Sequence, residues 1–467
     1  MKFCRDTNLV LGRRRFLQQT SAGFGWLALS ALAARKGRAA EPAAASAPSA
    51  GGYVSPLAPK PPHFKARAKR VIFLFMEGGP SHLDTFDWKP ELARVGTGGK
   101  HKNLAPVFDF KPCGKSGLPL AADLFPHLAG QADELCLLNG MQTNNPSHHQ
   151  AIVALHTGSE NFVRPSMGSW ITYGLGTEAD DLPGFVTIDP ISHNGGAQNY
   201  GSAFLPATFQ ATRLGTGAQG VANLDNRHLA GGDQRRQLDF VDRLNRRLLD
   251  DVPAHPEIEG LIESYELAYK MQTSVPETLS LDDETQATHD LYGVGDSTTD
   301  RFGRACLTAR RLVERGVRFI QLTSTGWDHH NNLRQGLQGR WDGIDRPIAG
   351  LIADLRQRGL LDETLIVWGG EFGRTSNDDK GDGNGRGHNA KGFTVWLAGG
   401  GVKRGIRHGE TDELGSSAVA GKMNMHDLHA TILHLMGLDH EQLTYRYAGR
   451  DFRLTETDGI VANEILA

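Results

Sequence analysis

The chain has 467 residues and a formal net charge of −3. Its first forty residues carry eight basic side chains against one acidic, a charge of +7, so the remainder stands near −10. Such a surface lacks the basic footprint that nucleic acids and anionic lipids require, which excludes those partners, and the length suits one large domain or two.

The first predicted element is an export signal. Arg13-Arg14-Arg15-Phe16-Leu17 fits the pattern of two arginines, any residue, then Phe-Leu. A modest apolar stretch follows from Phe24 to Ala34, then Arg35, Lys36 and Arg38, and then Ala39 and Ala40, where cleavage could fall. Residues 1–40 are therefore expected to be a twin-arginine signal peptide, with the twin-arginine translocase as partner during export and a periplasmic or secreted destination. The apolar stretch is shorter than the roughly 20 residues that span a bilayer, and no later run is longer, so no transmembrane anchor is expected. Residues 41–66 are rich in Ala, Pro and Ser and read as a disordered linker, leaving 67–467 as the folded domain. Cys113, Cys136 and Cys306 lie far apart with no C-x-x-C pair, and buried free thiols are expected.

Beyond residue 66, strands alternate with helices. Arg70–Met76 is a continuous apolar run ending at Gly78-Gly79, the pattern of a parallel strand buried on both faces. Leu135–Leu138 and Phe185–Ile188 are shorter runs of that kind. Val317–Leu322 follows a helical stretch at Ala305–Arg315, and Thr364–Trp368 follows another at Ile344–Arg358. Phe393–Ala398 follows a glycine-rich loop, and Met425–Met436 closes with helical periodicity. The alternation predicts an α/β fold: a doubly wound, mostly parallel sheet with helices on both faces. Residues from about 195 to 300 are polar and helical and form a candidate cap or insertion.

Ligands of open α/β sheets bind beyond the carboxyl ends of the strands, so the residues just after each strand carry the functional reading. After the first strand come Glu77, His82 and Asp84. After the strand at 317–322 come Asp328 and His330. Glu371 and Arg374 follow the strand at 364–368, and His388 lies in the next loop. Carboxylates and imidazoles delivered by several strand-end loops can converge on one divalent metal, with zinc, manganese and calcium as candidates. Asn144-Asn145-Pro146-Ser147-His148-His149 leads into a helical stretch, and a serine at a helix start suits an attacking oxygen or a bound anion. Ser147 is the candidate nucleophile, and Arg374 with His149 is expected to stabilise an oxyanion. His426, His429 and His434 share a helix and are expected to pack or cap rather than ligate.

The runs GGPSHLDTFD, GWDHHNN, GEFGRT and GRGHN, in this order behind a twin-arginine signal, resemble the domain-of-unknown-function family 1501, a sulfatase-like group of the alkaline phosphatase superfamily. The resemblance implies an alkaline-phosphatase-like fold, divalent metal, and hydrolysis of phosphate or sulfate esters. It places Glu77 at the first acidic ligand, Ser147 at the nucleophile, Asp328 and His330 at the ligand pair, Glu371 at the late acid and His388 at the final histidine. The chain departs from the pattern in three places. Glu77 stands where Asp is usual, Phe372 stands where the late dipeptide has His, and Asn144 stands where sulfatases carry the Cys that becomes formylglycine. The expected function is an exported metal-dependent hydrolase acting on an anionic small-molecule or glycan ester. The alternative is a catalytically degenerate scaffold serving as an exported binding or cell-envelope protein.

Overall fold

A computed structural model of the chain describes residues 55–95, 102–215, 224, 229, 231–251, 256–380 and 384–467. The expected export signal and residues 41–54 of the expected linker lie outside the described residues. Residues 55–66, the end of the expected linker, lie along the domain: the Lys60 N–H donates to Leu175 O at 2.9 Å and the His63 N–H to Gly437 O at 2.9 Å.

Eight strands make the central sheet: β1 (Arg70–Met76), β2 (Leu135–Met141), β3 (Phe185–Ile188), β4 (Thr212–Leu214), β5 (Phe319–Ser324), β6 (Thr364–Gly369), β7 (Phe393–Gly399) and β8 (Ile406–His408). Their spatial order is β8-β2-β7-β6-β1-β5-β3-β4. β1 pairs in parallel with both β5 and β6, β3 with β5 and β4, and β8 with β2. Only β7 runs against its neighbours, β2 and β6. The expected mostly parallel α/β sheet is the one observed. β5 begins two residues later than the apolar run at 317 suggests. Arg318 is buried there with its guanidinium donating to Gly176 O at 3.1 Å and Lys69 O at 2.6 Å, which ties it to flanking loops.

Alternate residues of each strand feed two cores. One face sets Ile72, Leu74, Met76, Ile320, Leu322, Ile366 and Trp368 against α5 (Asp300–Glu314) and α6 (Leu333–Gln357). The other sets Val71, Phe73, Phe75, Phe319, Leu365 and Val367 against α1 (His148–Thr157), α2 (Met167–Leu175) and α7 (Met425–Leu435). Helices on both faces explain why the strands read as unbroken apolar runs. Between β4 and α5 lie α3 (Gly231–Asp251) and α4 (Pro256–Leu279), and Met271 and Val275 of α4 join the first core. Cys113, Cys136 and Cys306 are buried free thiols. Among the described residues no helix is long and apolar enough to cross a membrane.

Sheet direction decides where chemistry can gather. β1, β2, β5 and β6 all point the same way, so the segments after them emerge on one edge. Because β7 is antiparallel, its entry lies on that same edge, and the short strand Arg386–Asn389 before it arrives there too. Five segments far apart in sequence therefore meet at the carboxyl end of the sheet.

Candidate metal centre

Asp328 is placed by a rigid neighbour. Trp327 is fully buried, its ring 5.7 Å from that of Trp341 and 6.3 Å from that of Trp368, and its backbone N–H donates to Glu77 O at 3.1 Å. Burying an aromatic side chain that completely contributes about 1.5–3 kcal/mol, so the loop start is firmly held. Gly78 lets β1 approach this close: its φ is +118°, and a Cβ there would lie 2.6 Å from the Asp328 nitrogen. The carboxylate of Asp328, by contrast, remains partly open to solvent.

Three imidazoles surround that carboxylate. His388 Nε2 is 3.1 Å from Asp328 Oδ1, and His330 Nε2 is 3.0 Å from the same oxygen. The two Nε2 atoms are themselves 2.9 Å apart. His148, the first residue of α1, puts its Nε2 3.3 Å from Asp328 Oδ2. That nitrogen is buried.

The opposite ring nitrogens are all anchored. His148 Nδ1 donates to Glu371 Oε1 at 2.6 Å, His330 Nδ1 to Asp379 Oδ2 at 2.8 Å, and His388 Nδ1 to Pro146 O at 2.7 Å. Glu371, fully buried, is itself held by the Gly78 N–H at 3.1 Å. With each Nδ1 proton fixed on an acceptor, the Nε2 lone pairs are turned towards Asp328. This is the outer-layer pattern that orients histidines as metal ligands. His148, Asp328 and His388 each offer a donor atom within 4.8 Å of the others, and His330 adds a fourth. Imidazoles only 2.9 Å apart facing one carboxylate oxygen need a cation among them, so the donor set fits a divalent metal.

Without a metal the positive charge is a proton. Burial opposes charge on His148, but hydrogen bonds and charges from Asp328 and Glu371 outweigh it and raise its pKa to about 9. Burial likewise opposes the charge on Asp328, yet contacts from His148, His388 and Arg374 hold its carboxyl well below the usual carboxylate range.

Residues 68–466 match the sequence model of a family described as a protein of unknown function, DUF1501. The chain belongs to DUF1501. No curated protein matches it. Solved structures similar to this DUF1501 chain include the lipoteichoic acid synthase LtaP from Listeria monocytogenes, at 10% identity over 85% of this chain and 78% of that one, with a TM-score of 0.39. A second is the PsFucS1 sulfatase from Pseudoalteromonas sp., at 14% identity over 84% and 71%, with a TM-score of 0.38. A third is the alkaline phosphatase from the Antarctic bacterium TAB5, at 11% identity over 80% and 99%, with a TM-score of 0.35.

Of the residues singled out in the sequence, the DUF1501 structure brings Asp328, His330 and His388 together, with Glu371 behind them. Glu371 reaches the site through His148 rather than directly. His82 and Asp84 stand apart. His82 is buried, with Nδ1 accepting the Arg374 N–H at 3.4 Å and Nε2 donating to Gly415 O at 3.0 Å, so both nitrogens are used; burial depresses its pKa and keeps it neutral. Asp84 is fully buried and its two oxygens accept from Arg386 Nε at 2.7 Å and Nη2 at 3.1 Å, from the Ser81 hydroxyl and from the Val107 N–H at 2.8 Å, which leaves no lone pair for an ion. Glu77 meets His193 and Asn194 instead of the imidazole cluster.

Arg374 does not stand open as an oxyanion clamp. It is fully buried, donating to the carbonyls of Gly78, Gly79 and Arg386 and to Asp328, so its work is to hold three loops and the Asp328 carboxylate in place. His149 is exposed, because the helix turns its neighbour His148 inward. Ser147 is exposed at the start of α1, with its Oγ making no capping bond. It lies between Pro146, whose carbonyl holds His388, and His148. Phe372, standing where the resemblance expects histidine, packs its ring 4.9 Å from His148 and 4.5 Å from His388. The imidazole absent at 372 is thus matched by one arriving from α1. His148 was the residue sequence reasoning passed over, and the signal was weak: adjacent histidines at a helix start differ only in the face each takes.

Proposed function

We propose that this protein is an exported metal-dependent hydrolase of phosphate or sulfate esters. One observation carries the reading: three imidazoles, each with Nδ1 tied to an acceptor, turn their Nε2 atoms to one carboxylate. His148, Asp328, His330 and His388 would hold the metal, and a set this rich in nitrogen favours zinc over calcium, which prefers oxygen ligands. Bound there, the metal supplies Lewis acidity towards an ester oxygen. Glu371 and Asp379 fix the tautomers of His148 and His330, and Arg374 holds Asp328 charged and in position. Ser147 offers its hydroxyl beside the cluster at the positive end of α1, which also suits an anionic substrate group.

Export by the twin-arginine route is part of this proposal and rests on the pattern at Arg13–Leu17. The supporting experiment is elemental analysis of the purified protein beside an Asp328→Ala/His388→Ala variant. Near-stoichiometric zinc or manganese in the wild type and none in the folded variant is expected, followed by turnover of phosphate or sulfate esters. No bound metal and equal stability of the two proteins would overturn the hydrolase reading and favour a binding scaffold.

A further inference from the structure

A second hydrogen-bonded pair, with partners of its own, stands at the end of β1 beside the loop that carries Asp328. Glu77 is immobilised there: its N–H donates to Ser324 O at 2.8 Å, and its carbonyl accepts the Trp327 N–H at 3.1 Å. Its side chain is mostly buried, and Oε1 accepts from His193 Nε2 at 3.1 Å and from Asn194 Nδ2 at 3.3 Å. His193, on the loop after β3, is 60% exposed in its side chain.

The loop that presents this histidine is held in a costly shape. Asn194, Gly195 and Gly196 take φ values of 45°, 96° and 50° in succession. A Cβ on Gly195 would lie 2.6 Å from Asn199 Oδ1 and 2.8 Å from Val153 Cγ2 of α1, and Asn199 Nδ2 donates to Asn194 O at 3.1 Å. Left-handed backbone at a residue such as Asn194 costs on the order of 1–3 kcal/mol and persists where the surroundings fix it. The pair also adjoins the proposed metal centre along a bonded path. Gly78, next to Glu77, gives its N–H to Glu371, and Glu371 holds His148. An exposed imidazole is thus oriented by a buried carboxylate whose neighbour, Gly78, is bonded into the site.

We propose that His193 is the general acid that protonates the departing oxygen of the ester, with Glu77 as its orienting carboxylate. This rests on the hydrolase reading above. Nε2–H stays on Glu77, so the transferred proton is the one on Nδ1 of the imidazolium. The bond from the ester oxygen to phosphorus or sulfur breaks, the electron pair stays on that oxygen, and the Nδ1 proton joins it to give the alcohol. Over the whole turnover water supplies the new oxygen and one proton of the acid product. Its other proton returns His193 to the imidazolium, which exposure to solvent allows.

A proton donor matters in proportion to how poor the leaving group is, which separates this role from a structural one. The test compares kcat/KM of zinc-loaded wild type, His193→Ala and His193→Gln on the 4-nitrophenyl and methyl esters of phosphoric and sulfuric acid. Positioned acid catalysis contributes about 10²–10⁴-fold. Both variants are expected to lose at least about a hundredfold on the methyl ester and under about tenfold on the 4-nitrophenyl ester, with imidazole added to the buffer restoring part of the alanine variant's loss. Equal losses on both esters, or none on either, would overturn the role of His193 and leave the hydrolase reading intact. No turnover by the wild type on any ester would overturn both.

Discussion

Zinc titrated into the metal-free protein is expected to displace a proton from His148, and the structure sets the size and direction of the effect. The pKa of this imidazole stands at about 9 because Asp328 and Glu371 flank it, so at neutral pH both ring nitrogens carry protons. Nδ1–H remains on Glu371 when a metal arrives, and Nε2–H is the proton that must leave. Below pH about 9 proton and metal compete, so affinity falls as pH falls, approaching about tenfold per unit and amounting to about fiftyfold from pH 9 to pH 7. Asp328 is ionised throughout that window and adds no proton of its own. Calorimetry in two buffers with different protonation enthalpies counts the protons released. Glu371→Gln should flatten the pH dependence and weaken binding about 10–100-fold, because the carboxylate that orients His148 and supports its charge is gone. Metal uptake that releases no proton and keeps one affinity from pH 7 to pH 9 would remove His148 from the ligand set.

Two further predictions concern the frame around the site. His156 packs against Phe73 and Phe75, and His429 donates to Leu155 O at 2.7 Å; burial depresses their pKa values to about 4 and about 3. The unfolded chain takes up these protons below pH about 6.5 while the folded one does not, so stability is full above that pH and falls below it. At pH 5 each histidine should cost about 2 kcal/mol relative to pH 7.5, read by urea denaturation, and a His156→Gln/His429→Gln variant should lose correspondingly less between the two pH values. Asp84→Ala should cost about 3–5 kcal/mol, since it strands the fully buried guanidinium of Arg386. Arg386 also donates to the carbonyls of Leu104, Ala105, Thr375 and Ser376, and a loss under about 1 kcal/mol in the same assay would mean that these alone satisfy it.

The sheet was legible because a strand covered on both faces must be apolar throughout. Arg70–Met76, Thr364–Trp368 and Phe393–Ala398 each read as such, and each is a strand. That Asp328, His330 and Glu371 gather at one edge was legible for a related reason: residues shortly after buried strands emerge at the carboxyl edge of the sheet, whatever the details of the loop. Roles were not legible. Asp84 and His82 look like ligands in the sequence, and only packing shows one locked to Arg386 and the other used as a peg between Arg374 and Gly415. Composition cannot distinguish Arg374 open to a substrate from Arg374 buried among carbonyls, because the difference lies in which loops close over it.

What the sequence determined by itself is therefore the layered α/β plan, the edge at which chemistry gathers and the residue types available there. Local rules suffice for that, since strand burial follows from hydrophobic runs, and a mostly parallel sheet from their alternation with helical stretches. Which side chains meet was decided by tertiary structure. His148 turns inward through the pitch of α1, His388 arrives because β7 runs antiparallel, and Glu77 meets His193 through a loop more than a hundred residues away. Those contacts depend on the relative placement of whole elements, and no local stretch of sequence encodes that.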